Sequence, residues 1–365
     1  MLPHARPVVR AGAPGGCLPG ADHPGLHHHR LFRGADRAGV LHLALLRGEQ
    51  AHVKLPLPVF DMHLHLPYSG EDLWGAWGTR LAQRYGAEKL ALWNERNAKA
   101  QEGWWRAYGF PLPDSPQPGP AECARRYAEE VERYGLLGLV FLTGGGNERL
   151  AETLRPYPKL HGFAFEADPF RPEAAAELRR GVEELGLKGL KLFGPALLRP
   201  LDDPALEPVW RVCEELQVPV LIHFGPLGGS GGIADGVNIS PMRLHEVAKG
   251  YPAVPFIVPH FGCGYLNDLL QLMWACDNVY VDTSGNNEWR RYVWPEPTLK
   301  DLFRRFYELF GPERILFGTD ASWFPRGWVL KYFEEQYRAA AEVGIPEAHQ
   351  RLIFAGNAMR LLRIG

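Results

Sequence analysis

The stretch that decides the fold is residues 56–66, PLPVFDMHLHL, in which an apolar run ends in two histidines. Side chains two positions apart on a β-strand point to the same face, so His63 and His65 are expected to project together. Two neutral imidazoles on one face can bind a divalent metal ion. An HxH pair is common by chance, so this prediction depends on residues elsewhere in the chain.

Beyond this stretch, short apolar runs alternate with amphipathic segments. The apolar runs are rich in Val, Ile, Leu and Phe, as expected of parallel strands that are buried on both faces. They cover Val59–Leu64, Leu137–Leu142, Leu160–Phe165, Leu187–Phe193, Val218–His223, Val254–His260, Val279–Thr283 and Ile315–Thr319. Helical patterns lie between them, at Cys123–Tyr134, Pro172–Leu185, Pro204–Leu216, Pro241–Tyr251, Leu266–Cys276 and Thr298–Phe310, and again at 328–343 and 356–363.

Eight strands alternating with helices predict an α/β protein with a (β/α)8 barrel, or TIM barrel, over residues 55–365. An open doubly wound sheet is the alternative fold. Such a sheet normally has a glycine-rich fingerprint after its first strand, and this sequence has none.

Residues 66–120 are too long for an ordinary βα loop, and they contain five tryptophans. We expect a helical, aromatic insertion after strand 1 that covers the mouth of the barrel. The tryptophans either form the insertion's own small core or, for one or two of them, also line the substrate pocket.

Residues 1–54 differ from the rest of the chain. They hold seven Arg and Lys, three Asp and Glu, and seven of the fourteen histidines, but no Ser, Thr, Tyr, Trp, Ile or Asn. The segment is predicted to be an atypical extension, either disordered or not part of the native protein. A start of translation at Val53 would account for the second possibility.

The composition excludes several classes of function. The formal net charge is −2, whereas proteins that bind nucleic acid by neutralising phosphates usually show a basic excess. No apolar run reaches the roughly 18 residues that span a bilayer, so neither a nucleic-acid nor a membrane partner is expected. The five cysteines are scattered without a CxxC pair, which favours a reducing cytoplasm. We expect a cytoplasmic protein with a small-molecule substrate, and a homodimer is the commonest assembly.

Polar residues also end three of the later apolar runs: His223, His260 and Asp320. A buried polar group left without a partner costs on the order of 1–3 kcal/mol, so each of these side chains requires one. Barrel enzymes build their active sites at the carboxyl ends of the strands. Together with His63 and His65, these residues predict a metal site.

The sequence resembles the amidohydrolase superfamily, specifically the amidohydrolase-2 group of metal-dependent hydrolases and decarboxylases. Six motifs occur in the family's order and span residues 56 to 365. They are DMHLHL at 61–66, GLKLFGP at 189–195, LIHFG at 221–225, VPHFG at 258–262, ILFGTD at 315–320 and GNAMRLL at 356–362.

This resemblance implies that one divalent ion, with Zn²⁺ as the expected metal, is bound by His63, His65, His223 and Asp320. It implies that His260 is a catalytic acid or base or polarises substrate, or binds a second ion as in two-metal relatives. It implies that Lys191 is carbamylated and bridges the ions, as in two-metal relatives, or that it contacts substrate or does neither, as in single-metal relatives. The family often has His before Pro in the motif after this lysine, whereas this chain has Phe193-Gly194-Pro195. That departure weakens any inference about substrate from this loop.

The expected reaction is hydrolysis of an ester, lactone or amide by a zinc-activated water, with Asp320 as general base. The alternative is non-oxidative decarboxylation of an aromatic or unsaturated carboxylic acid, which the same residues support. Arg290 is the candidate for binding a substrate carboxylate, although it equally fits a solvated loop arginine. A metal-containing binding protein without catalysis is the third possibility.

Overall fold

The computed structural model describes residues 53–67, 69–228, 232–234, 236–285 and 289–365. The predicted N-terminal extension, residues 1–54, therefore lies almost entirely outside the described residues. Among the described residues, no helix combines the length and the apolar character required to cross a lipid bilayer.

All eight predicted strands are present and run parallel to their neighbours. In chain order they are β1 Phe60–Leu64, β2 Gly138–Phe141, β3 Leu160–Gly162, β4 Ala164–Phe165, β5 Leu190–Phe193, β6 Val220–His223, β7 Phe256–Val258, β8 Val279–Asp282 and β9 Ile315–Leu316. The strands β3 and β4 are two halves of the third predicted strand, separated by a single residue. One sheet has the order β1-β2-β3, and a second has the order β4-β5-β6-β7-β8-β9.

Hydrogen bonds join the two sheets on both sides. Phe163 lies between β3 and β4, and its backbone N–H donates to the carbonyl of Phe141, 2.9 Å away. On the other side, the N–H of Met62 in β1 donates to the carbonyl of Phe317 directly after β9, at 3.0 Å. The first and last strands are thus neighbours, and the strand order is that of a TIM barrel.

Eight of the described helices occupy predicted segments and two form the predicted helical insertion, whereas the helices at Asn147–Leu154 and Glu347–Arg351 were not predicted. They are α1 Ser69–Tyr85, α2 Ala87–Ala107, α3 Pro120–Tyr134, α4 Asn147–Leu154, α5 Ala174–Glu183, α6 Glu207–Leu216, α7 His245–Gly250, α8 Leu266–Ala275, α9 Leu299–Phe310, α10 Leu330–Val343, α11 Glu347–Arg351 and α12 Asn357–Leu362. Strand residues such as Phe60, Leu221 and Leu316 are fully buried in one cluster with Ala358 of α12. Apolar side chains of the strands and of the inner face of α12 therefore form this core.

The insertion after β1 forms the two helices α1 and α2. Near the end of α2, the ring centroids of Trp104 and Trp105 lie 6.3 and 5.5 Å from that of Trp323, which follows β9. In α1, Trp77 packs against a buried apolar cluster after β5 and β6. The insertion therefore packs over the carboxyl ends of the strands.

Candidate metal centre and active site

Three of the predicted ligands come together where β1 and β9 end. The Nε2 atoms of His63 and His65 lie 3.2 Å apart, and each lies within 3.7 Å of Oδ1 of Asp320. One ligand atom from each of the three residues lies within 4.8 Å of the other two. The two-residue spacing of the histidines on β1 has the consequence predicted from the strand repeat.

A buried carboxylate orients His63. Oδ2 of Asp282, at the end of β8, accepts a hydrogen bond from Nδ1 of His63 at 2.6 Å, and both side chains are buried. With the proton on Nδ1, the lone pair of Nε2 faces the cluster. Burial lowers the pKa of His63 well below its usual value, so the imidazole is neutral. A neutral imidazole whose other nitrogen bonds a carboxylate is the common form of a metal-binding histidine.

The second histidine has a polar partner of its own. Nδ1 of His65 lies 2.7 Å from Oγ1 of Thr143, which follows β2. Burial lowers the pKa of His65 well below its usual value. Both histidines of the HxH motif therefore have Nδ1 occupied and Nε2 directed to the same point.

The third residue of the cluster, Asp320, has a left-handed backbone with φ of 60°. Aspartate tolerates this conformation better than most residues. Its side chain is 29% exposed. Burial raises the pKa of Asp320 to about 7, although Arg326 and Lys191 act to lower it. The carboxyl group thus reaches the space in front of the histidines.

The remaining histidines form a chain of rings beside this cluster. The ring of His260 lies 5.0 Å from that of His63 and 5.1 Å from that of His223. Nδ1 of His260 lies 2.8 Å from the carbonyl oxygen of Ser284, which only accepts, so Nδ1 carries the proton. Its Nε2 is then the atom that can exchange a proton. Burial lowers the pKa of His260 to about 3.

His223 is not part of the tight cluster. Its Nε2 atom lies 3.3 Å from the carbonyl oxygen of Pro226, and its ring packs near Phe193 and Trp289. The expectation that His223 is a fourth ligand therefore stays a prediction.

Lys191 lies near the histidines and Asp320, because its charge shifts the pKa of His63, His223 and Asp320. It is fully buried in β5, and its Nζ atom has no hydrogen-bond partner within the described part of the chain. Nζ lies 4.5 Å from the centre of the Phe193 ring. Burial lowers the pKa of Lys191 to about 7, although Asp320 and Asp282 act to raise it. The role of Lys191 in contacting substrate stays a prediction.

A cavity of about 140 Å³ opens beside Asp320. Aromatic side chains make up half of its lining residues, and Arg326 is the one cation among them. The lining residues are Trp104, Gly285, Trp289, Asp320, Ser322, Trp323, Arg326 and Tyr332. The guanidinium of Arg326 stacks on the ring of Trp323, at 3.3 Å from its centroid, and donates to the backbone carbonyl of Asp320 at 3.0 Å. Trp104 of the insertion lines this cavity, while whether the cavity binds substrate stays a prediction.

The predicted substrate arginine lies elsewhere. Nη1 of Arg290 pairs with Oε1 of Glu296 at 2.7 Å, and Arg290 does not line the cavity. The neighbouring Arg291 stacks over the ring of Tyr108. The role of Arg290 as a carboxylate-binding residue therefore stays a prediction, while Arg326 is the arginine beside Asp320.

Sequence reasoning missed Asp282, Ser284 and Arg326. The first two had a signal, because the apolar residues of β8 end in Asp282-Thr283-Ser284, the same pattern that marked the histidines. Oγ of Ser284 lies 2.9 Å from Nδ1 of His63 and 3.1 Å from Nδ1 of His260, so it links the two rings. No local pattern distinguishes Arg326 from other loop arginines.

The donor set fits a divalent cation. Two imidazole nitrogens and a carboxylate oxygen are ligands that zinc, manganese and related ions accept. The hydrogen bonds at Nδ1 of both histidines leave the Nε2 lone pairs available. The chemistry of the residues therefore agrees with the predicted metal dependence.

Comparison with known proteins identifies the class. The model of the Amidohydro_2 family, described as Amidohydrolase, matches residues 60–364. The chain belongs to this family, and it is an enzyme of the amidohydrolase superfamily.

Solved structures with similar folds include two decarboxylases. A 5-carboxyvanillate decarboxylase from Novosphingobium aromaticivorans, complexed with manganese, is 16% identical with a TM-score of 0.54, and the match covers 86% of this chain and 99% of that one. A 2,6-dihydroxybenzoate decarboxylase from Rhizobium is 18% identical with a TM-score of 0.52, covering 84% of this chain and 99% of that one. At these identities the likeness shows the α/β fold of TIM-barrel neighbours.

One curated relative matches a short segment. The 2-amino-3-carboxymuconate-6-semialdehyde decarboxylase of Dictyostelium discoideum is 33% identical over 78 residues. The match covers 21% of this chain and 22% of that protein, so the chain matches about a fifth of that relative's length.

Proposed function

We propose that this chain is a metal-dependent, non-oxidative decarboxylase of a small aromatic or unsaturated carboxylic acid. The observation that carries the proposal is the cavity beside Asp320, whose lining includes three indoles and, as its one cationic side chain, the guanidinium of Arg326. Indole faces suit a planar conjugated ring, and a guanidinium suits a carboxylate. A neutral ester or lactone does not call for such a positive group.

The named relatives support this choice over hydrolysis. The two solved neighbours described above are a carboxyvanillate and a dihydroxybenzoate decarboxylase, and the curated relative is also a decarboxylase. Hydrolysis, the reaction expected from the sequence, has no comparable support among these proteins. The cavity is smaller than the roughly 300 Å³ of a typical drug-sized pocket, which favours a one-ring substrate.

Four residues would hold the cation: His63, His65, Asp320 and, as predicted from the sequence, His223. When bound, a divalent cation supplies positive charge that stabilises the negative charge developing on the substrate. The assays below test both zinc and manganese, since the resemblance implies zinc and one solved neighbour is complexed with manganese.

Two side chains of the site can transfer the proton that replaces the carboxyl group of the substrate. In the reaction, the bond between the ring carbon and the carboxyl group breaks, its electron pair stays on the ring carbon, and carbon dioxide leaves. Asp320 lines the cavity, so in its protonated form it can deliver a proton to that carbon, and the resulting carboxylate takes up a proton from solvent to complete the cycle. Because Nδ1 of His260 bonds the carbonyl of Ser284, His260 can accept or return a proton only at Nε2.

The site also positions the substrate and excludes water. Trp289 stacks on His260 with ring centroids 5.3 Å apart, which closes one side of the site. Trp104 and Trp323 form further walls of the cavity, where they can stack on a planar acid. We assign Arg326 to the substrate's anionic group, because it is the cationic side chain of the cavity lining.

Assays of the purified protein test the proposal. Zinc-loaded and manganese-loaded protein are incubated with hydroxybenzoates, phenyl esters and lactones, with and without a chelator. Carbon dioxide release that the chelator abolishes is expected. Hydrolysis of esters or lactones without carbon dioxide release would show that the protein is a hydrolase instead. If the chelator leaves the observed activity unchanged, the protein is not a metal-dependent enzyme.

A matched pair of arginine variants tests the substrate site. Arg326→Gln is expected to raise KM for the acid at least tenfold, since a charge-assisted contact is lost. Arg290→Gln serves as the control and should leave KM unchanged. The opposite result would assign the carboxylate to Arg290, as first predicted from the sequence.

A further inference from the structure

Asp61 lies two residues before the first ligand and does not contact the cavity. Its side chain is fully buried in β1, and its two carboxylate oxygens accept four hydrogen bonds. Oδ1 accepts from the backbone N–H groups of His63 at 3.0 Å and Thr319 at 3.2 Å. Oδ2 accepts from the hydroxyl of Thr319 at 2.6 Å and from the indole N–H of Trp328 at 2.9 Å.

These four donors belong to three separate parts of the site. The His63 N–H belongs to the ligand on β1, and Thr319 directly precedes the ligand Asp320. Trp328 ends the loop that carries Trp323 and Arg326 of the cavity. One carboxylate therefore ties the two ligand-bearing segments and the cavity loop to a single point.

The chemistry of this contact requires a carboxylate. An ionised carboxylate only accepts, so all four donors are satisfied. An amide of the same shape has one accepting oxygen and an NH₂ group that donates, so it would face two of the four donors with a donor of its own. Removing one partner of a buried hydrogen bond leaves the other unsatisfied, which is costly.

We propose that Asp61 is a positioning residue for the metal centre: it sets the separation between His63 and Asp320 at which both can bind one cation. The inference rests on the proposed metal site, but not on the reaction. The backbone already joins the two segments, since the N–H of Asp320 donates to the carbonyl of His63 at 2.9 Å. Loss of Asp61 is therefore expected to loosen the ligand geometry rather than to separate the strands.

The test measures metal affinity separately from stability. The Kd for Mn²⁺ is determined by electron paramagnetic resonance titration of the full chain, and the Tm of the metal-free protein is measured alongside. Asp61→Asn is expected to raise the Kd about 10- to 100-fold, the effect typical of residues that orient metal ligands. An unchanged Kd would overturn the proposal.

Asn357 provides a matched control at the other end of the last strand. It is fully buried, and its Nδ2 group donates to the carbonyls of Pro312 and Ile315 at 2.7 and 2.9 Å. Asn357→Ala is expected to lower the Tm while the Kd for Mn²⁺ stays at the wild-type value. An equal rise in Kd for Asn357→Ala would show that general loosening explains the effect, and would also overturn the proposal.

A milder pair of variants covers the case in which Asp61→Asn does not fold. Thr319→Val removes one of the four donors at nearly constant shape, and Thr319→Ser keeps the hydroxyl. Thr319→Val is expected to raise the Kd for Mn²⁺, whereas Thr319→Ser should keep the wild-type Kd. Equal Kd values for the two variants would overturn the proposal. If the wild-type protein binds Mn²⁺ but releases no carbon dioxide from any acid, the proposed function fails, while the ratio of Kd values still decides the role of Asp61.

Discussion

At the scale of single residues, the site depends on the tautomers of its histidines. The carboxylate of Asp282 holds the proton of His63 on Nδ1, and the carbonyl of Ser284 does the same for His260. Both rings therefore present Nε2 to the site, but the tight ligand cluster contains only His63 of the two. Two histidines with the same tautomer thus have different expected roles.

Alanine variants separate these roles. His63→Ala is expected to remove most of the bound metal and the activity with it. His260→Ala should retain the metal and lose about 10²- to 10⁴-fold in kcat, the usual range for a group that transfers protons. Metal content by mass spectrometry and turnover of the same samples provide the measurement.

His161 is a suitable control for this pair. It lies on β3, its ring stacks on Phe60 at 5.7 Å, and it matches no motif of the family. His161→Ala should retain both metal and turnover. If His260→Ala also empties the site, His260 is a direct ligand instead.

At the scale of elements, a local sequence signal explains where helix α9 begins. Helix α9 starts after Thr298, whose hydroxyl accepts from the N–H of Asp301 while the Asp301 side chain accepts from the N–H of Thr298. Its inner face then buries Leu302, Phe303 and Phe306 against the barrel. The predicted segment Thr298–Phe310 therefore agrees with the observed helix, because both the cap and the apolar spacing are local.

The capping box makes a prediction at this scale. Thr298→Ala is expected to lower the free energy of unfolding by about 1 kcal/mol, because one N–H group of the first turn loses its acceptor. Thr298→Ser keeps the hydroxyl and should stay close to wild type. Urea unfolding measures both, and equal stability of the two variants would contradict the capping role; activity should not change in either.

At the scale of the whole molecule, the cavity is assembled from distant segments. The insertion contributes Trp104, and the segment after β9 contributes Trp323 and Arg326. That segment is tied back to α3, because Oε2 of Glu130 accepts from the backbone N–H of Trp328 at 2.9 Å. Burial raises the pKa of Glu130 to about 7, although the Trp328 bond and Arg133 act to lower it.

This half-buried glutamate predicts a pH dependence of stability. Its pKa rises from 4.5 to about 7 on folding, so between these values the folded state binds more protons than the unfolded state. Its contribution to stability is therefore largest below about pH 4.5, falls as the pH rises toward 7, and is constant above that. Glu130→Gln removes this slope.

The measurement is the difference in unfolding free energy between Glu130→Gln and wild type, from pH 5 to 8. The variant should gain on wild type as the pH rises to about 7, after which the difference levels off. Glu129→Gln, at an exposed neighbouring position, controls for the loss of a surface charge. A difference that does not vary with pH would mean that Glu130 is solvated in the folded protein.

The sequence alone determined the strands, the helices and the candidate ligands at the strand ends. These follow from local periodicity, and the two-residue spacing of His63 and His65 already sets their common direction. Only the tertiary structure decided which groups complete the site. The partners of His63 at Asp282 and Ser284 are separated from it by 219 and 221 residues. The proposal of Arg326 rather than Arg290 as the partner of the substrate's carboxylate likewise rests on the position of Arg326 in the cavity lining. Contacts between residues so far apart in the chain exist only once the barrel has formed, so no local pattern encodes them.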